Sequence, residues 1–561
     1  MTDRPLAPSP PQVDPHGSPR AGVLAGAAAA TLGIAFLVWV GVAKSDKTRS
    51  AVPHDGLTPK KAATSVDAGT RDAVEDSGLP GDKLAAIYCA SCHLLPPTNA
   101  ATKENWAFTL NLMGYYLGVE NASFRAGYRY EEWAEMLDAA RLPAKRMLAY
   151  AAFERLRRYY LDAAPDEMGA RPVQNVPETD LFEPLPSDYR PAQGVTTMVT
   201  IDSKRRRVVL GDAFTSSLVI LDAGGRTQKT LAALGIPVDL AIRGADYIAT
   251  LIGVLSTTNA RLGSIVRIPA AAPHAHSGAT PEVLVRNLFR PTASTFADLN
   301  GDGLDEIVSS QFGNHRGQVS VFERKAHTWE EHILRVQPGA IRSEVADLNH
   351  DGRPDIVTVF AQADESVHVF MNEGNLVFRD ETVIRNISSF GSSHLQLVDM
   401  NGDGALDVVL ANGDDGDLPV HTLKPFHGIR IYTNDGHARF TESFFYPMYG
   451  AYKSVAGDFD GDGKPDLAAI AFFPDWDAVK PESFVLLHQG ESMQFTPMRV
   501  RGLPEGRWGC MDVGDIDGDG DLDVVLGGMY DRVGVPNDTV WNRISKGPLA
   551  VVLRNQGTRR W

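Results

Sequence analysis

Five copies of the pattern Asp-x-(Asn/Asp)-x-Asp-Gly recur in the second half of this 561-residue chain. The copies begin at Asp298, Asp347, Asp399, Asp458 and Asp515, so that successive starts are 49, 52, 59 and 57 residues apart. Each copy runs into a short segment rich in Ile, Val and Leu, which is typical of a buried β-strand. A repeat of about 50 residues built from short strands predicts the blades of a β-propeller or a related repeat fold.

The repeated segment also has the oxygen spacing of a calcium-binding loop. Side-chain oxygens at positions 1, 3 and 5, a backbone carbonyl at position 7 and an acid at position 9 can surround a hard cation. The predicted ligands are, in chain order, Asp298, Asn300, Asp302, Leu304, Glu306, Asp347, Asn349, Asp351, Arg353, Asp355, Asp399, Asn401, Asp403, Ala405, Asp407, Asp458, Asp460, Asp462, Lys464, Asp466, Asp515, Asp517, Asp519, Asp521 and Asp523. We therefore expect about five calcium ions, with metal-free Asx turns as the alternative.

A helix–loop–helix calcium site does not fit these loops, because it needs a bidentate Glu at position 12 between two helices. Position 12 is occupied here by Ser309, Thr358, Leu410, Ala469 and Leu526. The loops instead lead into strands, and the last ligand is the acid at position 9. In the first copy, Asp305 competes with Glu306 for that role.

Over roughly residues 290–550, these loops resemble the FG-GAP or VCBS repeats of integrin-type β-propellers. The resemblance implies four-stranded blades around an axis. Two earlier β-rich units, at about 194–225 and 235–270, lack the acidic loop. Two units plus five predict a seven-bladed propeller over residues 192–561, closed with help from the chain end near Leu549–Leu553; six or eight blades are the alternatives.

A second motif, Cys89-Ala90-Ser91-Cys92-His93, has the spacing of a covalent haem attachment site. Two thiols about one helical turn apart reach the two vinyl groups of a porphyrin, and the following His reaches the iron. A thioredoxin-like pair needs a βαβ setting that is absent here. A zinc site needs more ligands, but the next cysteine is Cys510 and no histidine lies between His93 and His274. The motif predicts one covalent haem c.

The sixth iron ligand is predicted to be Met113, because this region offers no second histidine. Helical periodicity over 102–117 places Trp106, Leu110, Met113 and Leu117 on one face. Met136 and Met147, in a later helical stretch from about 129 to 164, are competitors, and an open iron site is a further alternative. Residues 79–165 are thus expected to form a small all-α cytochrome c domain.

The N-terminal region predicts a membrane anchor. Residues 1–20 read as a disordered cytoplasmic tail, the uncharged residues 21–43 as a transmembrane helix, and residues 44–78 as a flexible tether. A cleaved signal peptide is the alternative for 21–43. Since haem is attached covalently outside the cytoplasm, the later domains are placed in the periplasm or at the cell surface. Residues 166–191 are expected to be a linker.

The fusion of the two parts resembles a bacterial family, best known from planctomycetes, that joins a CxxCH cytochrome to VCBS repeats. The matching stretches are Trp106, Met113-Gly114, Tyr159-Tyr160, Ala164-Pro165, Asn412-Gly-Asp414, Leu423-Lys-Pro-Phe-His427-Gly428 and Gly506-Arg-Trp508. The chain departs from the family in its second blade, which lacks an Asp-rich loop, and in an inserted-looking segment at 118–129. The resemblance implies the architecture and the haem and metal sites, but no substrate.

A set of polar residues near the repeats has two interpretations: a ligand site at the propeller axis, or solvated loop residues and hydrogen bonds between blades. The set is Arg342, Asp364, Glu365, His394, Asn412, Asp414, Asp417, Lys424, His427, Lys453, Arg507, Trp508 and Asp512. The net charge of −16 argues against nucleic-acid binding. We therefore expect electron transfer with a redox partner protein; the alternatives are a dehydrogenase whose propeller oxidises a small sugar or alcohol, and an adhesion module.

Overall fold

The computed structural model describes residues 76–119, 135, 143, 145–169, 176–270, 281–326, 328–362, 364–418 and 420–557. The predicted tail at 1–20 and anchor at 21–43 lie outside these residues, as does nearly all of the predicted tether. Within the described ranges, no helix is long and apolar enough to cross a membrane.

Seven sheets form the blades of a propeller, each built from four antiparallel strands, and the sheet of blade 6 carries a fifth, parallel strand at its edge. Blade 1 contains β3 (Thr196–Asp202), β4 (Arg207–Asp212), β5 (Ser217–Asp222) and β6 (Thr227–Ala232). Blade 2 contains β7 (Pro237–Arg243), β8 (Asp246–Leu251), β9 (Gly263–Pro269) and β10 (Glu282–Leu288). Blade 3 contains β11 (Pro291–Ala297), β12 (Glu306–Gln311), β13 (Gln318–Arg324) and β14 (Trp329–Arg335).

The remaining four blades follow the same order along the chain. Blade 4 contains β15 (Ala340–Ala346), β16 (Asp355–Phe360), β17 (Ser366–Gly374) and β18 (Val377–Arg385). Blade 5 contains β19 (Ser392–Val398), β20 (Asp407–Asn412), β21 (Gly428–Asn434) and β22 (Phe440–Pro447). Blade 6 contains β23 (Ala451–Gly457), β24 (Asp466–Ala471), β25 (Phe484–Gln489) and β26 (Phe495–Val500). Blade 7 contains β27 (Trp508–Gly514), β28 (Asp523–Gly528), β29 (Ala550–Asn555) and β2 (Phe182–Pro186).

The first strand of each blade faces the axis. These inner strands contact one another in the order β3, β7, β11, β15, β19, β23, β27 and back to β3. The second strands are buried along their whole length in blades 3 to 7 because neighbouring sheets cover both faces. This double burial explains why they read as near-continuous apolar runs in the sequence. The prediction of seven blades is confirmed.

Ring closure corrects the prediction that residues 166–191 are only a linker. Within that segment, β2 pairs antiparallel with β29 and becomes the outer strand of blade 7, from Phe182 opposite Asn555 to Pro186 opposite Val551. A second short strand, β1 (Glu178–Thr179), pairs in parallel with β26 of blade 6. The chain end therefore supplies the third strand of blade 7, and an N-terminal strand completes it.

The described part of the N-terminal domain contains three helices, α1 (Gly81–Tyr88), α2 (Lys103–Tyr116) and α3 (Tyr150–Ala163). The predicted helix over 102–117 is present as α2, which begins after Thr102, whose side chain accepts the N–H of Asn105. Trp106 of α2 packs on Tyr160 of α3, with ring centroids 4.3 Å apart. Of the stretch predicted to be helical over 129–164, α3 covers the end, and much of the rest lies outside the described residues. A fourth helix, α4 (Asp538–Ile544), lies between β28 and β29.

The helical domain contacts one face of the propeller. In an antiparallel blade, the turn from the second to the third strand lies on the same face as the connection to the next blade. We call this the docking face, formed here by the connections 252–262, 312–317, 386–391 and 413–427. Leu94 forms a parallel β-bridge with Ile387, and Asn105 Nδ2 donates to the Val420 carbonyl at 2.8 Å. The Asp-rich loops lie on the opposite face, which we call the loop face.

Candidate functional site

The five Asp-rich loops join the inner strand of blades 3 to 7 to the second strand, and all five close in the same way. In blade 3, Asp298 Oδ1 accepts the N–H of Gly301 at 2.7 Å, and its Oδ2 accepts that of Gly303 at 2.9 Å. The bond from position 6 to position 1 recurs at Asp347, Asp399, Asp458 and Asp515, with lengths of 2.9, 2.9, 2.9 and 3.2 Å. Backbone N–H groups therefore hold the side chain of position 1 inside the turn.

In every loop, a hydrogen bond joins the two residues that are predicted to ligate at positions 5 and 7. The position-5 carboxylate accepts the backbone N–H of position 7, for example Leu304 N on Asp302 Oδ1 at 2.8 Å. The same bond is made by Arg353, Ala405, Lys464 and Asp521. Position 6 is a glycine with a positive φ throughout, for instance 84° at Gly303, a conformation in which a side chain would be strained.

The acid at position 9 opens the second strand and is buried in all five loops. Asp355 shows the arrangement: one oxygen accepts the N–H of Leu348 at 3.1 Å and the other accepts that of Asn372 at 2.8 Å. Asp407, Asp466 and Asp523 make the same pair of bonds. In blade 3, Glu306 rather than Asp305 takes this place, since it accepts the Leu299 N–H at 2.8 Å. Position 9 therefore fixes the loop to the blade.

The donor atoms fit a hard divalent cation. Carboxylate oxygens of Asp458, Asp460 and Asp462 lie within 4.8 Å of one another, and so do those of Asp515, Asp517 and Asp523. Burial, together with repulsion from Asp517 and Asp519, raises the pKa of Asp523 to about 6. Crowded, partly buried carboxylates are stable as anions only beside positive charge, and all-oxygen donor sets are those that Ca²⁺ prefers.

In the loop of blade 6, a histidine lies against two of the predicted ligands. His488 Nδ1 lies 3.1 Å from Asp466 Oδ1 and 3.8 Å from Asp460 Oδ2. Burial raises the pKa of Asp466 to about 6, although His488 and two backbone N–H groups act in the opposite direction.

Sequence reasoning missed the carboxamides that connect these loops to one another. Asn372 Nδ2 donates to the Leu299 carbonyl in the loop of the preceding blade at 2.9 Å. Two other blades repeat the contact, from Gln489 Nε2 to the Met400 carbonyl and from Asn555 Nδ2 to the Phe459 carbonyl. In blade 5, Asn434 donates to its own Leu406 carbonyl. The signal was an Asn-x-Gly or Gln-Gly sequence at the end of each third strand, in the segments 372–374, 434–436, 489–490 and 555–557.

The CxxCH motif begins where α1 ends. The Cys89 N–H still donates to the Ala85 carbonyl at 2.9 Å, so Cys89 continues the last helical turn. Both thiols of the motif are free, with Cys92 exposed and Cys89 packed against the helical core. Burial raises the pKa of Cys89 to about 11.

A hydrogen bond to a backbone carbonyl sets the tautomer of the His93 ring. Its Nδ1 donates to the Leu94 carbonyl at 2.8 Å, so the proton is on Nδ1 and the lone pair is on Nε2. Met113 lies half-buried in the last turn of α2, and its carbonyl accepts the N–H of Leu117. Met147 is 46% exposed, and Met136 lies outside the described residues. The donor set of two thiols and an oriented imidazole fits a covalent haem.

Four members of the predicted polar set lie on inner strands and face the axis. Arg342, His394 and Lys453 are each the third residue of their inner strand, and Asp512 is the fifth residue of β27. Each of the first three follows a register shift in the pairing with the second strand, a β-bulge that redirects the side chain.

Other members of the set are buried in the docking face, where they stabilise the loops. Glu365 accepts the N–H groups of Gly391 and Ser392 at 3.1 and 2.8 Å. Lys424 forms a buried ion pair of 2.5 Å with Asp415. The other buried members are Asn412, His427, Arg507 and Trp508. These residues are therefore better interpreted as parts of the loop structure than as members of a ligand site.

The fold and the loops together define a seven-bladed β-propeller with FG-GAP repeats. The FG-GAP-like repeat family matches residues 298–358, 347–410 and 399–469, which include the first four Asp-rich loops. The mouse (Mus musculus) protein integrin alpha-7 is 26% identical over an alignment of 243 positions, which covers 38% of this chain and only 20% of the integrin.

Two solved structures align with about two thirds of this chain, at low sequence identity. The WD40 repeats of RRP9 align with 68% of this chain and 99% of that chain, at 12% identity and a TM-score of 0.39. The Cps50 (Swd1) β-propeller domain of Myceliophteria thermophila aligns with 65% of this chain and 98% of that chain, at 9% identity and a TM-score of 0.40.

Proposed function

We propose that this protein is a membrane-anchored, extracytoplasmic c-type cytochrome whose calcium-stabilised propeller binds a partner or ligand. The observation that carries the haem proposal is the hydrogen bond from His93 Nδ1 to the Leu94 carbonyl. It leaves Nε2 free, directly after two unpaired thiols of the attachment spacing. A haem bound there supplies reversible one-electron chemistry.

The residues of the chain have separate roles in this proposal. Cys89 and Cys92 hold the porphyrin through thioether bonds, and His93 binds the iron. Met113 is the sixth ligand that we favour, since it lies in α2 of the same small helical domain. The Leu94 carbonyl keeps the His93 proton on Nδ1 and so fixes the direction of the ring.

The contact between the two domains supports a role in electron transfer with a redox partner protein. Leu94, next to the haem-ligating His93, pairs with Ile387 of the propeller. Tyr116 of α2 lies 3.3 Å from His315 in a loop of blade 3. A haem held by this motif is thus tied to the docking face, and a partner or ligand bound on that face lies on the same side of the propeller as the motif. We place both domains, which follow the proposed anchor at residues 21–43 in the chain, in the periplasm or at the cell surface.

A dehydrogenase is the second candidate, with a small sugar or alcohol oxidised at the propeller. The inner strands begin at the docking face, so Arg342, His394 and Lys453 lie near the mouth of the axis on the side of the helical domain. This placement favours a substrate site close to the haem motif.

The haem proposal is tested by expressing the full chain with the haem-attachment machinery and staining for haem after denaturing electrophoresis. We expect the wild type to retain its stain and Cys89→Ala/Cys92→Ala to lose it. Cys510→Ala is the matched control, because Cys510 is a buried thiol in blade 7 and lies outside the motif. Persistent staining of the double variant, or an unstained wild type, contradicts the proposal.

The two functions are separated by adding candidate sugars and alcohols to the oxidised protein. Reduction of the haem by one compound alone identifies a dehydrogenase and its substrate class. A haem that only dithionite or a protein donor reduces identifies an electron-transfer component.

A further inference from the structure

Three successive blades present basic side chains at one level of the propeller axis. Arg342, His394 and Lys453 are each the third residue of the inner strands β15, β19 and β23. The β-bulge that precedes each residue gives the three side chains a common direction relative to their blades. Blades 4, 5 and 6 therefore form a basic arc, defined as Arg342, His394 and Lys453.

Two members of the basic arc have no hydrogen-bonding partner. His394 is 8% exposed, its Nδ1 is fully buried, and neither ring nitrogen bonds to any residue that the structure describes. Lys453 is partly buried and forms neither a hydrogen bond nor an ion pair among the described residues. Native proteins rarely leave buried polar groups without partners, so His394 and Lys453 have hydrogen-bonding capacity that a bound ligand or ordered water can fill.

Three acids lie near the axis, and each accepts a hydrogen bond from another residue of the protein. Asp239 accepts the N–H of Ser294 at 2.9 Å, and Asp512 accepts that of Ile201 at 2.8 Å, each from the following blade. Glu344 accepts a bond of 2.6 Å from Arg342 Nε, and the outer guanidinium nitrogens of Arg342 have no acceptor among the residues that the structure describes.

Carboxylates act on the arc as well: burial acts to lower the pKa of Arg342, but the charges of Glu344, Asp239 and Asp512 raise it. Burial and the charges of Lys453 and Arg342 hold the pKa of His394 well below its usual range. Burial and the charge of Arg342 also lower the pKa of Lys453, although Asp512 and Asp239 act in the opposite direction. A neutral imidazole donor between two cations suits an oxyanion.

We propose that the basic arc binds a small oxyanion, either a carboxylate or a phosphate group, that enters from the docking face. The arc lies at the third residue of strands that begin on that face, so the site is near its surface. This inference deepens the ligand-binding part of the proposed function and is independent of the haem.

The test is calorimetric titration of the full-length protein at pH 7 with inorganic phosphate and, separately, with succinate. We expect at least one to bind with a Kd below about 10 mM. Lys453→Met and His394→Gln should each weaken that binding by about tenfold or more. Lys325→Met is the matched control, since Lys325 pairs with Glu323 and Glu330 on the rim of blade 3 and should leave the affinity unchanged.

The two titrations identify the source of the oxyanion. Binding of phosphate alone assigns the site to phosphorylated compounds, binding of succinate alone assigns it to carboxylates, and binding of both assigns it to oxyanions in general. Lys453→Arg keeps the charge and should retain most of the affinity even if Lys453→Met unfolds. The inference is overturned if neither anion binds, or if all variants bind as the wild type does.

The same titration on Cys89→Ala/Cys92→Ala separates this inference from the haem proposal. We expect unchanged anion affinity in that variant, because the basic arc belongs to the propeller. Affinity that disappears with the cysteines would place the anion site elsewhere and overturn the assignment to the arc.

Discussion

The side-chain Nδ2 of Asn372 in blade 4 donates a 2.9 Å hydrogen bond to the backbone carbonyl of Leu299 in the loop of blade 3. The N–H of Leu299 in turn donates to Glu306, the position-9 acid of its own loop. The Asp-rich loops are therefore connected from blade to blade around part of the ring. Because each carboxamide is buried, it ties the stability of one loop to that of its neighbour.

The carboxamide that joins blade 7 to the loop of blade 6 gives the first prediction. Asn555 is 2% exposed and donates to the Phe459 and Leu522 carbonyls at 2.8 and 3.1 Å. We expect Asn555→Ala to lower the free energy of unfolding by about 2 kcal/mol, because two buried carbonyls lose their donor. Urea denaturation measures the loss. The neighbouring Gln556 is exposed, so Gln556→Ala should change stability by less than about 0.5 kcal/mol; equal effects would contradict the contact.

The acidic loops give the second prediction. We expect wild-type protein to contain about five calcium ions by elemental analysis, and Asp302→Asn to contain about one fewer. Asp305→Asn in the same loop is the control, because Asp305 is half-exposed and pairs with Arg243 at 3.3 Å. Chelation should lower the melting temperature of the propeller, since bound metal stabilises only the folded state. A transition unchanged by chelation would show that the loops fold without metal.

Glu365 gives a pH-dependent prediction. Burial raises its pKa from 4.5 to about 7, against the effect of two backbone N–H groups and Lys424. Between these values the unfolded chain loses the proton while the folded chain keeps it, so stability falls as the pH rises. Glu365→Gln should remove up to about 3 kcal/mol of this dependence between pH 4 and pH 8.

Denaturation of wild type and Glu365→Gln at a series of pH values checks that slope. Glu381→Gln, on an exposed outer strand, should keep the wild-type pH dependence. Parallel curves for wild type and Glu365→Gln would show that this carboxyl titrates in its ordinary range.

The sixth iron ligand gives the fourth prediction. If Met113 binds the iron, Met113→Ala should abolish the long-wavelength sulfur-to-iron charge-transfer absorption of the oxidised haem and lower its reduction potential. Met147→Ala is the control, because that side chain is 46% exposed. If the Met147 variant loses the absorption instead, Met147 rather than Met113 is the sixth ligand.

Much of the propeller could be read from the chain because its repeats are local. The acid spacing, the glycine at position 6 and the apolar second strand lie within about a dozen consecutive residues, and each acts through its own turn. The helix over 102–117 was likewise predictable, since its capping Thr102 and its apolar face are neighbours in sequence.

The closing strand could not be predicted in the same way. Phe182–Pro186 contains two prolines, and this composition is typical of a linker. The strand is tolerated because it lies at the outer edge of blade 7, where a proline needs to donate no hydrogen bond to a further strand. Whether an edge position exists for it depends on β29, more than 360 residues away along the chain.

The sequence by itself determined the repeat and the short strands of the propeller, from which seven blades were predicted, because those features are built from residues close together in the chain. The tertiary structure decided which polar residues act at a site. It separated the basic arc on the axis from Glu365, Lys424 and His427, which are buried among the loops of the docking face. Strands of different blades meet at a common axis only when the ring has formed. Which of their side chains lack partners there therefore depends on residues that are far apart in the sequence.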